Sequence, residues 1–480
     1  MTNLITSTVK NVSGAFLEEL GVSTLLESPI DFKLIVLIRA IRLFAFGGVS
    51  IVIALYLNLI GFNEGFIGFF FTLTMMGDLF VSFLLAMVAD KWGRKRVMIC
   101  SNIIMCITAF VFYFFQSPKV LVPMTIIGFI TPSGNEVGPF RSIEQSVIAC
   151  LVPFEQRSDC YAWYSFLGIL STAFGSFTSG LFIAFAKDKL NFSDISSYKL
   201  PFLFLAIASI MMAILSCIRF NIELDTFDDE QVQEHEPEEQ EEQTKSFLKH
   251  PHQRQQDNSN SFENLENQSL STKISFKFKN FKNILDPKSL DFVIKISLLF
   301  VLDTAAKSLI TKAWISYYIK HKFNLEPSYL GFVFFIHDVL SASAALVGSS
   351  ISKRQGVIFT MLATHIPTIF FNSLIPFPKS LGLTVFLIWG RATFQAMDLS
   401  SKAVFITSSV KPSERTGVIA WTNVCRSIGQ SAAPTVTGFF TNIGMQWITF
   451  LISGLLRAFY DFGIFINFWK IRHQLNKDNS

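Results

Sequence analysis

Long apolar segments separated by short polar ones dominate the chain, and their length determines its class. A transmembrane helix needs about 20 predominantly apolar residues to cross the hydrocarbon core of a bilayer. Twelve segments reach or approach this length, six before and six after a long polar stretch. They lie near 34–60, 65–89, 97–115, 119–150, 160–186, 201–219, 289–319, 327–351, 357–375, 380–409, 416–442 and 446–470. The pattern predicts an all-α membrane protein with twelve transmembrane helices, which we number as spans 1–12.

Span 4 is the least regular of the twelve, because it is long and contains Pro132, Gly134, Gly138 and Pro139. Splitting it would leave two segments of about 15 residues, each too short to cross a bilayer. We therefore predict one kinked and tilted helix.

The composition agrees with a membrane protein and excludes most other classes. Apolar residues make up 50% of the chain, and only 16% are charged, against about 25% in soluble domains. There is no Walker A motif, no glycine-rich nucleotide loop, no paired cysteine ligands and no histidine cluster at metal spacing. We predict that the protein is not an enzyme and uses no cofactor, metal or nucleic acid. The six cysteines are expected to be free thiols.

The central stretch 220–288 differs in composition from the apolar halves. Residues 223–242 contain eleven acidic residues and no Lys or Arg. The rest of the chain contains 40 basic and 25 acidic residues. So polar a sequence cannot bury enough apolar surface to fold, and we expect a disordered linker. The predicted organisation is an N-terminal segment, a six-helix bundle, the linker, a second bundle and a tail, at 1–33, 34–219, 220–288, 289–470 and 471–480.

Basic residues mark the side of the membrane on which each loop lies. Lys and Arg concentrate in the loops after spans 2, 4, 8, 10 and 12, and such an excess is typical of cytoplasmic loops. Both termini and the linker of this multi-pass protein are therefore predicted to be cytoplasmic. The first 33 residues have no continuous apolar run, so no cleaved signal peptide is expected. The pattern does not distinguish a plasma membrane from an organellar one.

The two halves share a sequence repeat at an offset of 258 residues. The matching pairs are Val152/Val410, Arg157/Arg415, Ala162/Ala420, Trp163/Trp421, Gly180/Gly438 and Phe182/Phe440. Both copies occur where an even-numbered span ends and the next one begins. A parallel repeat of this kind relates two halves by an axis along the membrane normal and places a substrate site between them.

The segment Asp90-Lys-Trp-Gly-Arg-Lys-Arg96 after span 2 is the most specific motif of the chain. It resembles the loop 2–3 motif of the major facilitator superfamily, in which a small residue precedes the acid by four positions. Here that residue is Ala86, where the family usually has Gly. The stretch 132–145 is similar to a bacterial and fungal subgroup of the superfamily. The resemblance implies a fold of two pseudo-symmetric six-helix halves that works by alternating access, and it supplies no substrate.

The same resemblance implies a gating role for this loop. In the superfamily the acid pairs with cations across the halves and keeps the cytoplasmic side closed in the outward-facing state. Carried over, the gating residues are Ala86, Asp90, Lys91, Gly93, Arg94 and Lys95. The alternative is a simple basic topology signal, which would require only Lys and Arg. The matching loop of the second half, 350–354, keeps the basic residues and lacks the acid.

Ionisable residues near the middle of the spans indicate a polar interior. A charge at membrane depth is expensive, so each one needs a partner, a cavity or a function. The residues concerned are Asp78, Glu136, Asp303, His337, Asp338, His365, Arg391, Asp398, Arg426, Arg457 and Asp461. Twelve lipid-facing helices could not tolerate so many, so we predict a water-accessible cavity.

Position assigns roles to several of these residues. In the resembled fold spans 1, 4, 7 and 10 line the central cavity, so the substrate-binding candidates are Glu136, Arg141, Asp303, Lys307, Arg391, Gln395 and Asp398. The proton-coupling candidates, whose carboxylates or imidazole can bind and release protons, are Glu136, Asp303, Asp398, His337 and Asp338. A packed His337 with a backbone partner is an equal alternative. For the whole set, the alternative is a self-neutralised ion-pair network that only fixes the helices.

Spacing predicts local partners for some of the charges. Asp303 and Lys307 are four residues apart and can form an ion pair on one helix face. Arg457 and Asp461 have the same spacing on peripheral span 12, where we expect a structural pair.

Two further sets of charges lie away from the expected cavity. Arg39 and Arg42 lie nearer the cytoplasmic end of span 1 and could extend to the membrane interface. His365 on peripheral span 9 is expected to be structural.

We predict a secondary active transporter that moves a small solute by alternating access. No nucleotide-binding domain fits in the loops, so the energy would come from a gradient, and the buried carboxylates favour protons. Arg141, Lys307 and Arg391 favour an anionic or zwitterionic substrate, provided that the acids do not neutralise all three. The alternatives are a passive facilitator, a drug or cation exporter, and a non-transporting sensor that signals through the linker. The expected partners are the lipid bilayer, the small-molecule substrate and protons, without an obligate protein partner.

Overall fold

The computed structural model describes residues 22–130, 132–134, 140–153, 156–219, 287–398, 401–402, 405 and 415–468. The regular structure of these residues is helical, and they contain no strand. The helices are α1 (Val22–Glu27), α2 (Ile30–Leu59), α3 (Glu64–Trp92), α4 (Arg94–Phe114), α5 (Pro118–Ile127), α6 (Phe140–Leu151), α7 (Arg157–Asp188), α8 (Asp194–Arg219), α9 (Pro287–Leu309), α10 (Lys312–Phe323), α11 (Pro327–Gln355), α12 (Val357–Leu374), α13 (Leu381–Ala396), α14 (Arg415–Asn442) and α15 (Gln446–Phe468). Helices α2–α15 occupy the twelve predicted spans, with α5 and α6 in span 4 and α9 and α10 in span 7. The predicted all-α class is confirmed.

Eight of the described helices are long and apolar enough to cross a membrane, namely α2, α3, α4, α7, α8, α11, α12 and α15. The outer surface of the bundle carries large apolar side chains that are more than half exposed, among them Phe80, Phe114, Ile366, Phe370 and Phe462. So many exposed large apolar side chains suit lipid rather than water. The helices of spans 4, 7, 10 and 11 are shorter or more polar, and three of these spans carry the substrate-binding candidates.

Span 4 is not the single kinked helix that was predicted, because residues 128–130 and 132–134 between two separate helices are not helical. α5 ends at Ile127 and α6 begins at Phe140. Gly134 has a φ of 73°, which is outside the right-handed helical region, and a proline cannot donate a helical hydrogen bond. The carbonyl oxygen of Pro132 instead accepts a hydrogen bond from the backbone N–H of Ala313 at 3.1 Å. The interruption of span 4 is therefore bonded to span 7.

Span 7 is interrupted as well, although it was predicted as one segment at 289–319. α9 ends at Leu309, and Thr311 caps α10 by accepting a hydrogen bond from the backbone N–H of Trp314. Interrupted helices are tolerated at membrane depth where the freed backbone groups are bonded within the protein. In span 10, α13 ends at Ala396, and residues 401, 402 and 405 further along the span are helical as well.

Helix α2 runs through the middle of the bundle. In its apolar stretch 83% of the residues are buried inside the protein, against 39–44% in the other seven long apolar helices. Its Phe46 and Tyr56 belong to a hydrophobic core that also includes Phe70, Phe112 and Trp314. The Tyr56 hydroxyl donates to the carbonyl oxygen of Phe112 at 2.9 Å, so its polar end is satisfied. Span 1 is therefore surrounded by protein on nearly all sides.

The two halves approach closely at two related helix crossings. Gly180 of α7 lies against Gly331 of α11, and a Cβ on Gly180 would lie 2.5 Å from a backbone oxygen of α11. Gly438 of α14 lies against Gly68 of α3, and a Cβ on Gly438 would lie 2.6 Å from a backbone oxygen of α3. Small residues permit such close backbone contact between membrane helices. Since Gly180 and Gly438 are equivalent positions of the repeat, the two crossings follow it.

Both crossings lie at one end of the bundle, which we call the outer side. It carries the connections at 60–63, 189–193, 324–326 and 443–445, and it is the side predicted to face away from the cytoplasm. The Tyr317 hydroxyl donates to the Glu64 carboxylate at 2.6 Å, and the hydroxyl oxygens of Thr72 and Thr435 are 2.7 Å apart. Both contacts join the first half to the second, so the halves are bonded to each other on the outer side.

Candidate functional site

A cavity of about 280 Å³ lies between the two halves. Its walls come from the interruption of span 4, from α7 of the first half, and from α9, α10, α11, α13 and α14 of the second. The charged, histidine and amide side chains that line it are Lys307, Lys312, His337, Asp338, Arg391, Gln395 and Gln430. The volume is close to the lower end of the range of about 300–1,000 Å³ for small-molecule sites. Charged side chains thus line the cavity, as the charges at membrane depth predict.

Lys312 and Asp338 neutralise each other at the cavity wall. The Lys312 ammonium is 2.5 Å from Oδ2 of Asp338, and Oδ1 of the same carboxylate is 2.8 Å from Nδ1 of His337. A carboxylate with two such partners is well satisfied in a low-dielectric environment. His337 and Asp338, both predicted as proton-coupling residues, thus form one bonded group with a lysine that sequence reasoning did not single out.

Arg391 is a buried cation that lines the cavity without a carboxylate partner in the part of the chain that the structure describes. Its Nη2 donates to the carbonyl oxygen of Ile310 at 3.2 Å, a group released by the interruption of span 7. One turn further along α13, the Oε1 atom of Gln395 is buried and has no hydrogen-bond partner among the described residues. An unsatisfied buried acceptor costs about 1–3 kcal/mol. Arg391 and Gln395 therefore offer a cation and an acceptor to a ligand.

Behind the cavity wall lies a cluster of charged side chains, which we call the ion network. It consists of Asp303, Lys307, His365, Asp398, Lys402, Arg457 and Asp461. Lys307 is 3.2 Å from Asp303 and 3.7 Å from Asp398. Lys402 is 2.6 Å from Asp303 and also pairs with Asp398. Lys402 therefore supplies positive charge between the two carboxylates.

The ion network continues across spans 9 and 12. His365 contacts Asp398 through Nε2 and Asp461 through Nδ1, each at 2.6 Å. Arg457 lies 3.8 Å from Asp303. One potential metal-ligating atom from each of Asp303, His365 and Asp398 lies within 4.8 Å of the other two, so these three side chains are close enough to share a ligand. The network joins four spans, since its members come from spans 7, 9, 10 and 12.

The structure separates the predicted substrate-binding residues into two groups. Lys307, Arg391 and Gln395 line the cavity, whereas Asp303 and Asp398 lie behind Lys307 in the ion network. The predicted ion pair between Asp303 and Lys307 is confirmed.

Of the two candidates on span 4, only Arg141 is among the described residues. Arg141 is exposed on α6 and is absent from the lining. Glu136 lies outside the described residues.

One assignment on the peripheral spans was wrong. Arg457 and Asp461 do not pair with each other, because Asp461 contacts His365 and Arg457 approaches Asp303 instead. His365, which was expected to be structural, connects two carboxylates of the ion network. The physical reason is that α12 and α15 pack against each other and against the helices of spans 10 and 7, so their polar faces turn inward.

The first half contains a separate buried ion pair. Nη2 of Arg42 lies 2.7 and 2.8 Å from the two carboxylate oxygens of Glu144, and the Tyr164 hydroxyl donates to the same carboxylate at 2.7 Å. The guanidinium of Arg39 stacks on the Tyr164 ring at 3.7 Å. Arg39 and Arg42 therefore do not extend to the membrane interface. Since α2 is central in the bundle, these side chains have protein rather than interface around them.

The predicted gating loop forms a tight connection between α3 and α4. Gly93 has a φ of 86°, a conformation that favours glycine, and Gly356 between α11 and α12 has a φ of 90°. The connection is thus built the same way in both halves. Arg94 and Lys95 are half-buried. The side chains of Ala86, Asp90 and Lys91 lie outside the described residues, so the gating role stays a prediction.

Comparison with known proteins identifies the family. Residues 35–302 and 296–478 match the family model described as Major Facilitator Superfamily. A relative from Saccharomyces cerevisiae, named as the uncharacterized membrane protein YJR124C, is 29% identical over 460 residues, which cover 93% of this chain and 97% of that protein. The sequence matches therefore extend over both halves.

Solved structures share the fold at low sequence identity. A bacterial homologue of the human lysosomal transporter Spinster, inward-facing and unoccupied, has a TM-score of 0.65 at 11% identity and covers 91% of this chain and 95% of its own. The xylose transporter XylE from E. coli, inward open, has a TM-score of 0.62 at 13% identity, with 90% and 95% covered. The nucleoside transporter NupG has a TM-score of 0.61 at 15% identity, with 91% and 98% covered.

Proposed function

Since the chain belongs to the major facilitator superfamily, we propose that it is a proton-coupled secondary transporter for a small anionic or zwitterionic solute. Membership of this family supports transport across a membrane. The charge of the substrate is inferred from the cavity between the halves.

The observation that carries the proposal is the pairing of charges around this cavity. Lys307 and Lys312 are both neutralised by carboxylates, but Arg391 bonds only to a backbone carbonyl among the described residues. A guanidinium binds a carboxylate or phosphate group with two parallel hydrogen bonds. Gln395, one turn away, offers an acceptor to a second polar group of the same ligand. A ligand with an anionic group and a hydrogen-bond donor would satisfy both residues.

Closure of the outer side supports alternating access. With α3 and α7 in contact with α14 and α11 there, a solute would leave the cavity towards the opposite side of the membrane. Opening the outer side requires these crossings to separate. We propose that the described conformation is the one closed to the outside.

A ligand screen by thermal unfolding tests the substrate class. The detergent-purified protein is heated with organic anions, amino acids, sugars and lipophilic cations. A ligand present at 100 times its Kd stabilises the folded state by about 2.7 kcal/mol, which raises Tm measurably. We expect anions or amino acids to raise Tm, and we expect Arg391→Gln to abolish the shift.

Arg354→Gln is the matched control, because Arg354 is exposed at the end of α11. It should leave the shift unchanged. A shift with lipophilic cations alone would contradict the proposal and favour a cation exporter. If no class of compound raises Tm, a sensor is favoured, and deletion of 225–272 should then abolish its output.

Flux into proteoliposomes tests the coupling. Uptake of the anion that raises Tm should accelerate when the outside is made more acidic than the lumen, because proton entry would then drive the entry of the solute. A rate that ignores the gradient would identify a passive facilitator instead.

A further inference from the structure

His365 occupies a second polar site behind the cavity, between two carboxylates. Its Nδ1 is 2.6 Å from Oδ1 of Asp461, and its Nε2 is 2.6 Å from Oδ2 of Asp398. The side chains of His365 and Asp398 are fully buried, and that of Asp461 is 12% exposed. We call these residues, from spans 9, 10 and 12, the His365 triad.

The geometry of the His365 triad determines how many protons it holds. A neutral imidazole has one N–H donor and one acceptor nitrogen, and an ionised carboxylate can only accept. With a neutral ring and two ionised carboxylates, one 2.6 Å contact would place a nitrogen lone pair against a carboxylate oxygen. Such a contact is strongly unfavourable in a buried site. The triad must therefore hold one proton more, on the ring or on a carboxyl group.

We infer that the His365 triad is a proton-binding site, separate from the cavity, that carries the coupled proton. Its role in transport rests on the proposed function, whereas its proton content follows from the contacts alone. Deprotonation would leave one of the two contacts without a hydrogen. Spans 9, 10 and 12 would then lose one of the bonds that join them.

The surrounding charges favour the ring or Asp461 as the position of the proton. Lys307 and Lys402 both pair with Asp398 and stabilise its ionised form. The charged and titratable groups that face the triad from the helices around it are Asp303, Lys307, Lys402, Arg426, Arg457 and Tyr460. Of these, Arg426 stacks over the Phe300 ring at 4.1 Å.

The additional proton links the triad to the cavity through charge. The ion network contains three carboxylates, Asp303, Asp398 and Asp461, whose charges balance those of the three basic side chains Lys307, Lys402 and Arg457. The proton therefore gives the ion network one net positive charge. Lys307 belongs both to the network and to the cavity wall, so this charge lies beside the solute. A proton and an anionic solute are expected to promote each other's binding.

The protonation state can be measured without a substrate. The full chain with ¹⁵N-labelled histidine is placed in nanodiscs, and NMR at pH 7.5 reports whether each ring nitrogen bears hydrogen. We expect His365 to show two protonated nitrogens, or one protonated nitrogen together with an infrared carboxylic-acid band that Asp461→Asn or Asp398→Asn removes. A His365 ring with one bare nitrogen and no such band would overturn the inference.

The assignment of the NMR signal to His365 has its own controls. His365→Gln should remove the signal, and His321→Gln, on the outer side, should leave it in place. If His365→Gln does not fold, single substitutions of the other six of the seven histidines assign His365 by elimination.

Thermal shifts at two pH values test the coupling. Sodium glutamate and sodium sulfate, whose charges stay constant between the two pH values, are the probes, at pH 6 and pH 8. The increase of Tm with an anion should be larger at pH 6 in the wild type and equal at both pH values in His365→Gln. Equal shifts in the wild type would disprove the coupling. If no anion raises Tm but NMR shows the proton, the proposed substrate class is wrong and the proton site stands.

Discussion

Arg42 and Glu144 illustrate the constraint that acts on single residues inside this bundle. Both side chains are completely buried, so neither water nor lipid headgroups can solvate their charges. Tyr164 adds a hydrogen bond to Glu144, and the pair is thereby held between α2, α6 and α7. Removing one partner of a buried pair leaves the other charge uncompensated, which typically costs about 3–5 kcal/mol.

Glu144→Gln is therefore expected to destabilise the protein by several kcal/mol and to lower Tm clearly in detergent. The matched control is Asp291→Asn, because Asp291 pairs with Lys295 at 2.6 Å on an exposed helix face. Exposed pairs contribute about 0–1 kcal/mol, so this variant should unfold close to the wild type. Similar Tm values for the two variants would show that the charge of Glu144 does not stabilise the folded protein.

Spacing along one helix made some of these partners predictable. Asp303 and Lys307 lie on the same face of α9, and their ion pair is present. Lys402 has the same spacing from Asp398 and was missed, because the prediction considered only residues near the middle of each span. The partners of His365 are 33 and 96 residues away, and periodicity within a helix does not indicate which helix lies opposite.

At the scale of helices, close crossings and interruptions determine how spans fit together. The two glycine crossings bring backbones into contact without intervening side chains. The interruptions of spans 4 and 7 are joined by the hydrogen bond from Ala313 to Pro132. Both features place backbone atoms, rather than side chains, at the boundary between the halves.

Alanine at Gly180 or Gly438 should therefore destabilise the protein. The added methyl group would lie about 2.5 Å from a backbone oxygen, and overpacking of this kind costs about 1–3 kcal/mol. Gly382→Ala is the control, because a Cβ there meets nothing within 4 Å. Thermal unfolding of the three variants would contradict this packing model if all three had the same Tm.

Hydropathy predicted the twelve spans but not their interruptions. The argument that each crossing needs about 20 continuous apolar residues favoured a single helix at 119–150. In the protein, two short helices share that span, because the backbone groups freed between them can bond to span 7. A rule about contact with lipid does not apply to a segment that is surrounded by protein.

At the scale of the whole molecule, the two halves are bonded to each other on the outer side. Thr72 and Thr435 contact each other there, as do Tyr317 and Glu64. The internal repeat predicted the two halves and a site between them. It did not predict the charges of that site, because the second half contributes most of the polar lining.

A crosslink across the outer side should stop transport. With the native cysteines replaced, Thr72→Cys and Thr435→Cys should form a disulfide under oxidation, because the two hydroxyl oxygens are 2.7 Å apart. The control pair is Thr74→Cys and Thr125→Cys, whose hydroxyl oxygens are 2.6 Å apart within the first half. Uptake should fall only in the first pair and return on reduction. Continued uptake with the outer crosslink intact would exclude opening at this place.

Two of the buried ion pairs contain residues at a common position of the repeat. Glu144 and Lys402 are 258 residues apart, the same offset that relates the other matching residues. Each pairs with the first span of its own half, Glu144 with Arg42 and Lys402 with Asp303, at 2.7 and 2.6 Å. The repeat therefore relates the positions of these two charged residues but not their signs, since the first half has an acid where the second half has a lysine.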